Sequence, residues 1–95
     1  MPKGYIIARV DISNPEAYAL YAAGATEAQK QYGARVLARG GRHEALEGPA
    51  RARNVVLEFE NIEAARAYYF SPEYQNARKH REGAAQIELV LVEGI

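Results

Sequence analysis

Three short runs, YIIARVDI at 5–12, RNVVLEF at 53–59 and IELVLV at 87–92, alternate with a period of two, the spacing at which side chains of a β-strand point to opposite faces. One face carries Ile6, Ala8 and Val10, then Val55, Leu57 and Phe59, then Ile87, Leu89 and Leu91. The other mixes Ile7, Val56, Val90 and Val92 with Arg9, Asp11, Arg39, Asn54, Glu58 and Glu88. That second face is too apolar for open water and too charged for a dry core. A chain of 95 residues buries only roughly 60–65% of its unfolded surface, so it has little material to cover both sides by itself. Helices are expected on the apolar side, and a second copy of the sheet on the mixed side, where ions persist only if paired.

The segments between the strands supply the helices. After the first strand, Ser13 with Glu16 forms a capping box, or Asn14 caps with Pro15 at the first helical position. Tyr18, Tyr21, Ala22, Ala25, Ala28, Gln29 and Tyr32 then recur at helical spacing up to Gly33. The stretch from Arg35 to Glu60 reads as a hairpin turned at Gly48–Pro49, with a bulge at Gly40–Gly41 and a first arm that continues to Glu47. Asn61 caps a second helix. Within YYFSPEYQ, Ser71–Pro72 breaks that helix and restarts it, because proline lacks the amide donor and disfavours helical geometry at the residue before it. Tyr68, Tyr69, Phe70 and Tyr74 are expected to pack together as the corner. The order is βαββαβ, and right-handed crossovers make it an α+β, ferredoxin-like fold: a four-stranded antiparallel sheet with both helices on one side. Two such sheets face to face make a dimeric α/β barrel.

No repeat or linker divides residues 1–95, so one domain is expected. The absence of cysteine excludes disulfides, thiolate metal sites and a cysteine nucleophile. Two histidines without ligand spacing, His43 and His80, give no metal site. Twelve acidic residues balance twelve basic ones, so no long-range field draws a polyanion. RNA-recognition domains share this topology, but the third strand shows Asn54, Val56 and Glu58 where such domains need stacking aromatics, and nucleic acid is not expected. The N-terminal apolar run is too brief for a signal core or a membrane span, which predicts a cytoplasmic protein without membrane attachment.

In combination, GYIIARVDISNPEAY, ARGGRHEALEG, RNVVLEF, YYFSPEYQ and the closing VEGI resemble the bacterial family called domain of unknown function 1330, in the dimeric α/β-barrel superfamily. The resemblance implies the homodimeric barrel and brings no established substrate. Ala50 and Tyr68 stand where members often carry bulkier rings.

Superfamily analogy points to a cofactor-independent enzyme of monooxygenase, isomerase or decarboxylase type acting on a small organic acid. On that reading Arg39, with Arg9 and Asn54, holds the anion; Asp11, Glu58 or His43 moves a proton; and Tyr69 orients the ligand. The alternative is a non-catalytic dimer that binds a metabolite or is purely structural, its charges merely pairing with one another. A cavity reached by Arg39 and an acid would mark the enzyme.

Overall fold

The computed structural model describes residues 2–95. Strand β1 (Gly4–Ile12) leads into helix α1 (Pro15–Gln31), followed by β2 (Arg35–Arg39) and β3 (Arg53–Phe59). Helix α2 (Ile62–Tyr69), helix α3 (Pro72–Arg78), a single 3₁₀ turn at Lys79–Arg81 and strand β4 (Ala85–Glu93) complete the chain. The strands form one antiparallel sheet in the order β2-β3-β1-β4, the ferredoxin-like arrangement. Among the described residues no helix is long and apolar enough to cross a membrane.

Each helix begins where a side chain takes up an orphan amide. Asn14 Oδ1 accepts from the Ala17 amide at 3.2 Å with Pro15 at the first helical position, and Asn61 Oδ1 accepts from Ala64 at 2.8 Å. The helices pack on one side of the sheet, where Ile6, Leu57 and Phe59 meet Ala25, Ala28, Ala65, Tyr68 and Tyr74 in one core. Helix α1 approaches α3 so closely that a Cβ on Gly24 would lie 2.7 Å from the Ala77 Cβ, so only glycine fits there. The Cα envelope measures 37 × 33 × 16 Å. A thickness of 16 Å accommodates one helical layer on one sheet and nothing on the sheet's other face.

Two sequence expectations are corrected. The hairpin arm does not run on to Glu47: β2 stops at Arg39, and residues 40–50 are exposed and outside any strand. Gly40, at φ +68°, turns the chain out of the ladder while its amide still donates to the Asn54 carbonyl at 2.9 Å. Beyond it Leu46, the one large apolar side chain, is 85% exposed and anchors nothing. The register slip lies three residues earlier than Gly40, between Val36 and Ala38, so that Leu37 is the extra residue.

The second correction concerns the aromatic corner. Tyr68 and Tyr74 are buried with ring centroids 5.0 Å apart, and Tyr74 also meets Tyr69 at 5.2 Å. Phe70 meets Tyr69 edge-on at 5.0 Å as expected, but it stays 60% exposed, with the Arg66 guanidinium 4.9 Å from its ring centroid. Between α2 and α3, Ser71 holds the corner: its Oγ donates to the Tyr68 carbonyl at 2.7 Å and accepts from the Tyr74 amide at 3.1 Å. Replacing Ser71 with Ala strips both bonds inside a buried site and is expected to lower stability by about 1–2 kcal/mol, read as a lower urea midpoint with unchanged slope.

Candidate functional site

Polar groups are sorted by strand parity. On the outer face, away from the helices, Asp11 accepts from the Ala52 amide at 2.9 Å and pairs with the Arg51 Nη1 at 2.7 Å, while Arg51 Nε donates to Glu88 at 3.1 Å. Arg9 adds a looser contact to Glu88 at 3.9 Å and donates to the Pro49 carbonyl at 3.0 Å. These bonds lash the end of the 40–52 segment to β1 and β4. The Ala52 amide and the Arg51 guanidinium hold the Asp11 carboxyl below its ordinary range, and Arg51 does the same for Glu88. Farther along the same face, Glu58 accepts from the Tyr5 hydroxyl at 3.0 Å and faces Arg35 at 4.0 Å.

On the helix side a cavity of about 50 Å³ lies between α1, the α2–α3 corner and the sheet. Tyr18, Tyr21, Tyr68, Tyr69 and Gln29 line it, and Arg39 and Arg53 stand at its mouth. Outside them, an open groove of about 440 Å³ shares Ala22, Thr26, Arg39 and Arg53 with the cavity and adds Glu27 on its far wall, 3.8 Å from Lys30. The cavity is therefore an inner chamber, and the two arginines stand between it and solvent. The Arg53 guanidinium lies 5.8 Å from the Tyr18 ring centroid, in space that a Cβ on Gly40 would occupy. Among the described residues neither Arg39 nor Arg53 has a carboxylate within 4.0 Å. Tyr21 and Tyr74 hydroxyls bond one another at 2.9 Å, and burial pushes the Tyr21 and Tyr68 hydroxyls well above the ordinary tyrosine range. They are neutral hydrogen-bonding groups across the physiological range.

This geometry divides the residues that the sequence singled out. Arg39 and Tyr69 meet at the chamber. Arg39 was expected on the outer face, and an unbroken β2 would put it there; the extra residue at Leu37 reverses parity, so Arg39 pairs with Val55 and points to the helices. Asp11, Glu58, Arg9 and Asn54 remain on the outer face, and His43 lies on the exposed 40–50 segment. Asp11 and Glu58 also lie far from one another. Glu58 is opposite Tyr5, six positions from Asp11, which separates them by roughly 20 Å along the strand. Asn54 donates to the Arg51 carbonyl at 3.5 Å. Sequence reasoning did not assign Gln29 to the site. For Gln29 the signal was present: an amide in the middle of a buried Tyr/Ala stripe. Among the described residues, no group of three or more His, Asp or Glu side chains is placed to hold a metal ion.

A family model described as "Domain of unknown function (DUF1330)" matches residues 3–95. No curated protein matches the chain. Among solved structures, a protein of unknown function from Rhodopseudomonas palustris superposes with a TM-score of 0.77 at 21% identity, over 99% of this chain and 83% of that one. A dimeric ferredoxin-like protein of unknown function from Thermobifida fusca gives 0.65 at 13%, over 97% and 91%. A cofactor-independent oxygenase from Streptomyces nogalater, SnoaB, gives 0.55 at 14%, over 97% and 92%. At these identities the likeness is one of fold.

A carboxyl held low in the folded chain stabilises it above the unfolded value, and that contribution disappears as pH falls through the folded value. Attachment of the 40–52 segment is therefore complete near neutrality and lost only in acid. In an NMR titration the Ala52 amide is expected to shift with a midpoint below 3.8, the ordinary aspartate value, and Asp11→Asn is expected to remove that transition. A midpoint at or above 3.8 contradicts the assignment.

Proposed function

The chain belongs to the family defined by the domain of unknown function DUF1330, and from that premise we propose that it is a homodimeric, single-domain α/β barrel that binds a small organic acid in the chamber of each subunit. The observation that carries the ligand is the pair Arg39 and Arg53, two guanidinium groups without a carboxylate partner at the mouth of a tyrosine-lined cavity. Two planar donor arrays beside an apolar chamber suit a carboxylate whose short body is buried. Neutral tyrosine hydroxyls in the wall add donors without adding negative charge.

Surface area supports the dimer. A monomeric protein of 10.5 kDa ordinarily exposes about 5,400 Å². This chain exposes 6243 Å². The excess approaches the roughly 800 Å² that each partner contributes to a standard interface. Leu37, Val90 and Val92 are exposed and Ile7 and Val56 only half-covered, most of them on the outer sheet face, which a second sheet would close. The Thermobifida fusca neighbour, described as dimeric, has the same fold.

The oxygenase activity of the Streptomyces nogalater neighbour offers a catalytic reading of the same chamber. The described lining contains tyrosine hydroxyls, guanidinium groups, an amide and a threonine hydroxyl, with no carboxylate or imidazole to serve as a base near neutral pH. Binding needs none, so the geometry favours binding over turnover.

Thermal-shift and calorimetric titration with acetate, propionate and butyrate are expected to show binding by the wild-type chain. Arg53→Met should weaken it at least about tenfold, and Arg39→Met likewise, from the loss of charge-assisted bonds. Both variants should sediment as dimers, since neither arginine is on the outer face. A monomeric wild type at micromolar concentration would refute the barrel; affinity for all three acids unchanged in both variants would refute the anion site.

A further inference from the structure

The chamber leaves polar atoms of its own walls without partners. Gln29 is only 8% exposed, in the middle of the buried face of α1. Its Nε2 donates to the Tyr68 hydroxyl at 3.5 Å, while its Oε1 is buried and meets no donor among the described residues. At the mouth, Arg53 Nε is likewise buried and meets no acceptor. Gln29 lines the inner chamber but not the outer groove, whereas Arg39 and Arg53 line both. An unmet acceptor therefore sits inside and unmet donors sit at the entrance. Each such group left dry is destabilising, which makes their positions a description of the missing partner.

Charge and size narrow that partner. The entrance calls for an anion. The interior calls for a hydrogen-bond donor, because the free atom there is an amide oxygen. A second cation is a poor candidate for that donor, since nothing in the described lining carries negative charge; a hydroxyl fits. The chamber, at about 50 Å³, exceeds the roughly 30 Å³ that one water occupies in the liquid but excludes a benzene-sized ring, which fits a cavity of about 150 Å³.

We propose that the chamber is selective for short aliphatic hydroxy acids of roughly two to four carbons, the carboxylate held by Arg39 and Arg53 and the hydroxyl donating to Gln29 Oε1. This rests on the organic-acid reading above and adds to it the group that distinguishes one acid from another. A site built to bond a hydroxyl discriminates strongly against the analogue lacking it, because the buried acceptor is then left unpaired. It also discriminates against the keto analogue, which presents an acceptor to an acceptor.

The test is calorimetric titration of the chain with three-carbon acids differing at one group: lactate and 3-hydroxypropionate, then propionate, then pyruvate. At least one hydroxy acid is expected to bind about tenfold or more tightly than propionate, equivalent to 1.4 kcal/mol, with pyruvate no tighter than propionate. Gln29→Leu should bring the hydroxy acids to within about twofold of propionate while leaving propionate affinity in place. Should that variant not fold, Gln29→Met serves, and the wild-type series decides by itself. Equal binding of hydroxy acid and propionate, as a resident water on Gln29 would produce, overturns the hydroxyl assignment and leaves the organic-acid site standing. Preference for pyruvate overturns it too, by placing a donor where the amide oxygen is. Failure of all four acids to bind removes the organic-acid site and the hydroxyl selectivity together.

Discussion

A β-strand has only two sides, and in this chain parity decides the fate of the charged residues that the strands carry. The ladder from β1 through β3 and β4 keeps Ile6, Leu57 and Leu91 in line on one side and Ile7, Val56 and Val90 on the other. The charges follow the second set, where Arg51 gathers Asp11 and Glu88. Arg39 departs from its sequence parity, and a single extra residue is responsible. The slip between Val36 and Ala38 moves Arg39 from the ionic face to the apolar one, beside Val55 and close to Arg53. Without that slip the chamber would have one arginine at its mouth, and the outer face would gain a cation with no acid opposite.

The same parity explains what could be read from the sequence. The runs around Ile6, Leu57 and Leu89 declare themselves because alternation and β-branching agree over six or more positions. The caps at Asn14, Asn61 and Ser71 declare themselves because the bonding is local: side chain and amide are three residues apart. β2 is different. RVLAR has five residues, all exposed, and its register depends on β3, nearly twenty residues onward. A glycine pair announces an irregularity without saying which side of it the ladder slips. Gly40 proves to be a turn out of the sheet, and the bulge sits at a leucine that carries no such mark.

The candidate site was legible to the same limited extent. Arg39 and Tyr69 were visible as a cation and a ring, but the acids assigned to work beside them are on the other surface of the sheet. A strand pattern gives faces, not distances along them, so Asp11 and Glu58 looked like companions although six residues of strand separate them. Gln29 was seen as part of a helix stripe. Its significance comes from the orphaned oxygen, which only three-dimensional packing exposes.

The two faces place different demands on evolution of the fold. Outer-face charges have satisfied one another within a chain, so a second sheet can cover them without importing counter-charges, and Ile7, Val56, Val90 and Val92 supply the apolar area between. The helix face does the reverse. Tyr18, Tyr21, Tyr68 and Tyr74 fill it with large rings, burial raises the Tyr21 and Tyr68 hydroxyls above the ordinary tyrosine range, and the arginines at the rim have no carboxylate within 4.0 Å. The positive edge is local, since the whole chain is neutral at twelve acids against twelve bases. It is built from a bulge that turns one arginine inward and a glycine that leaves room for the other.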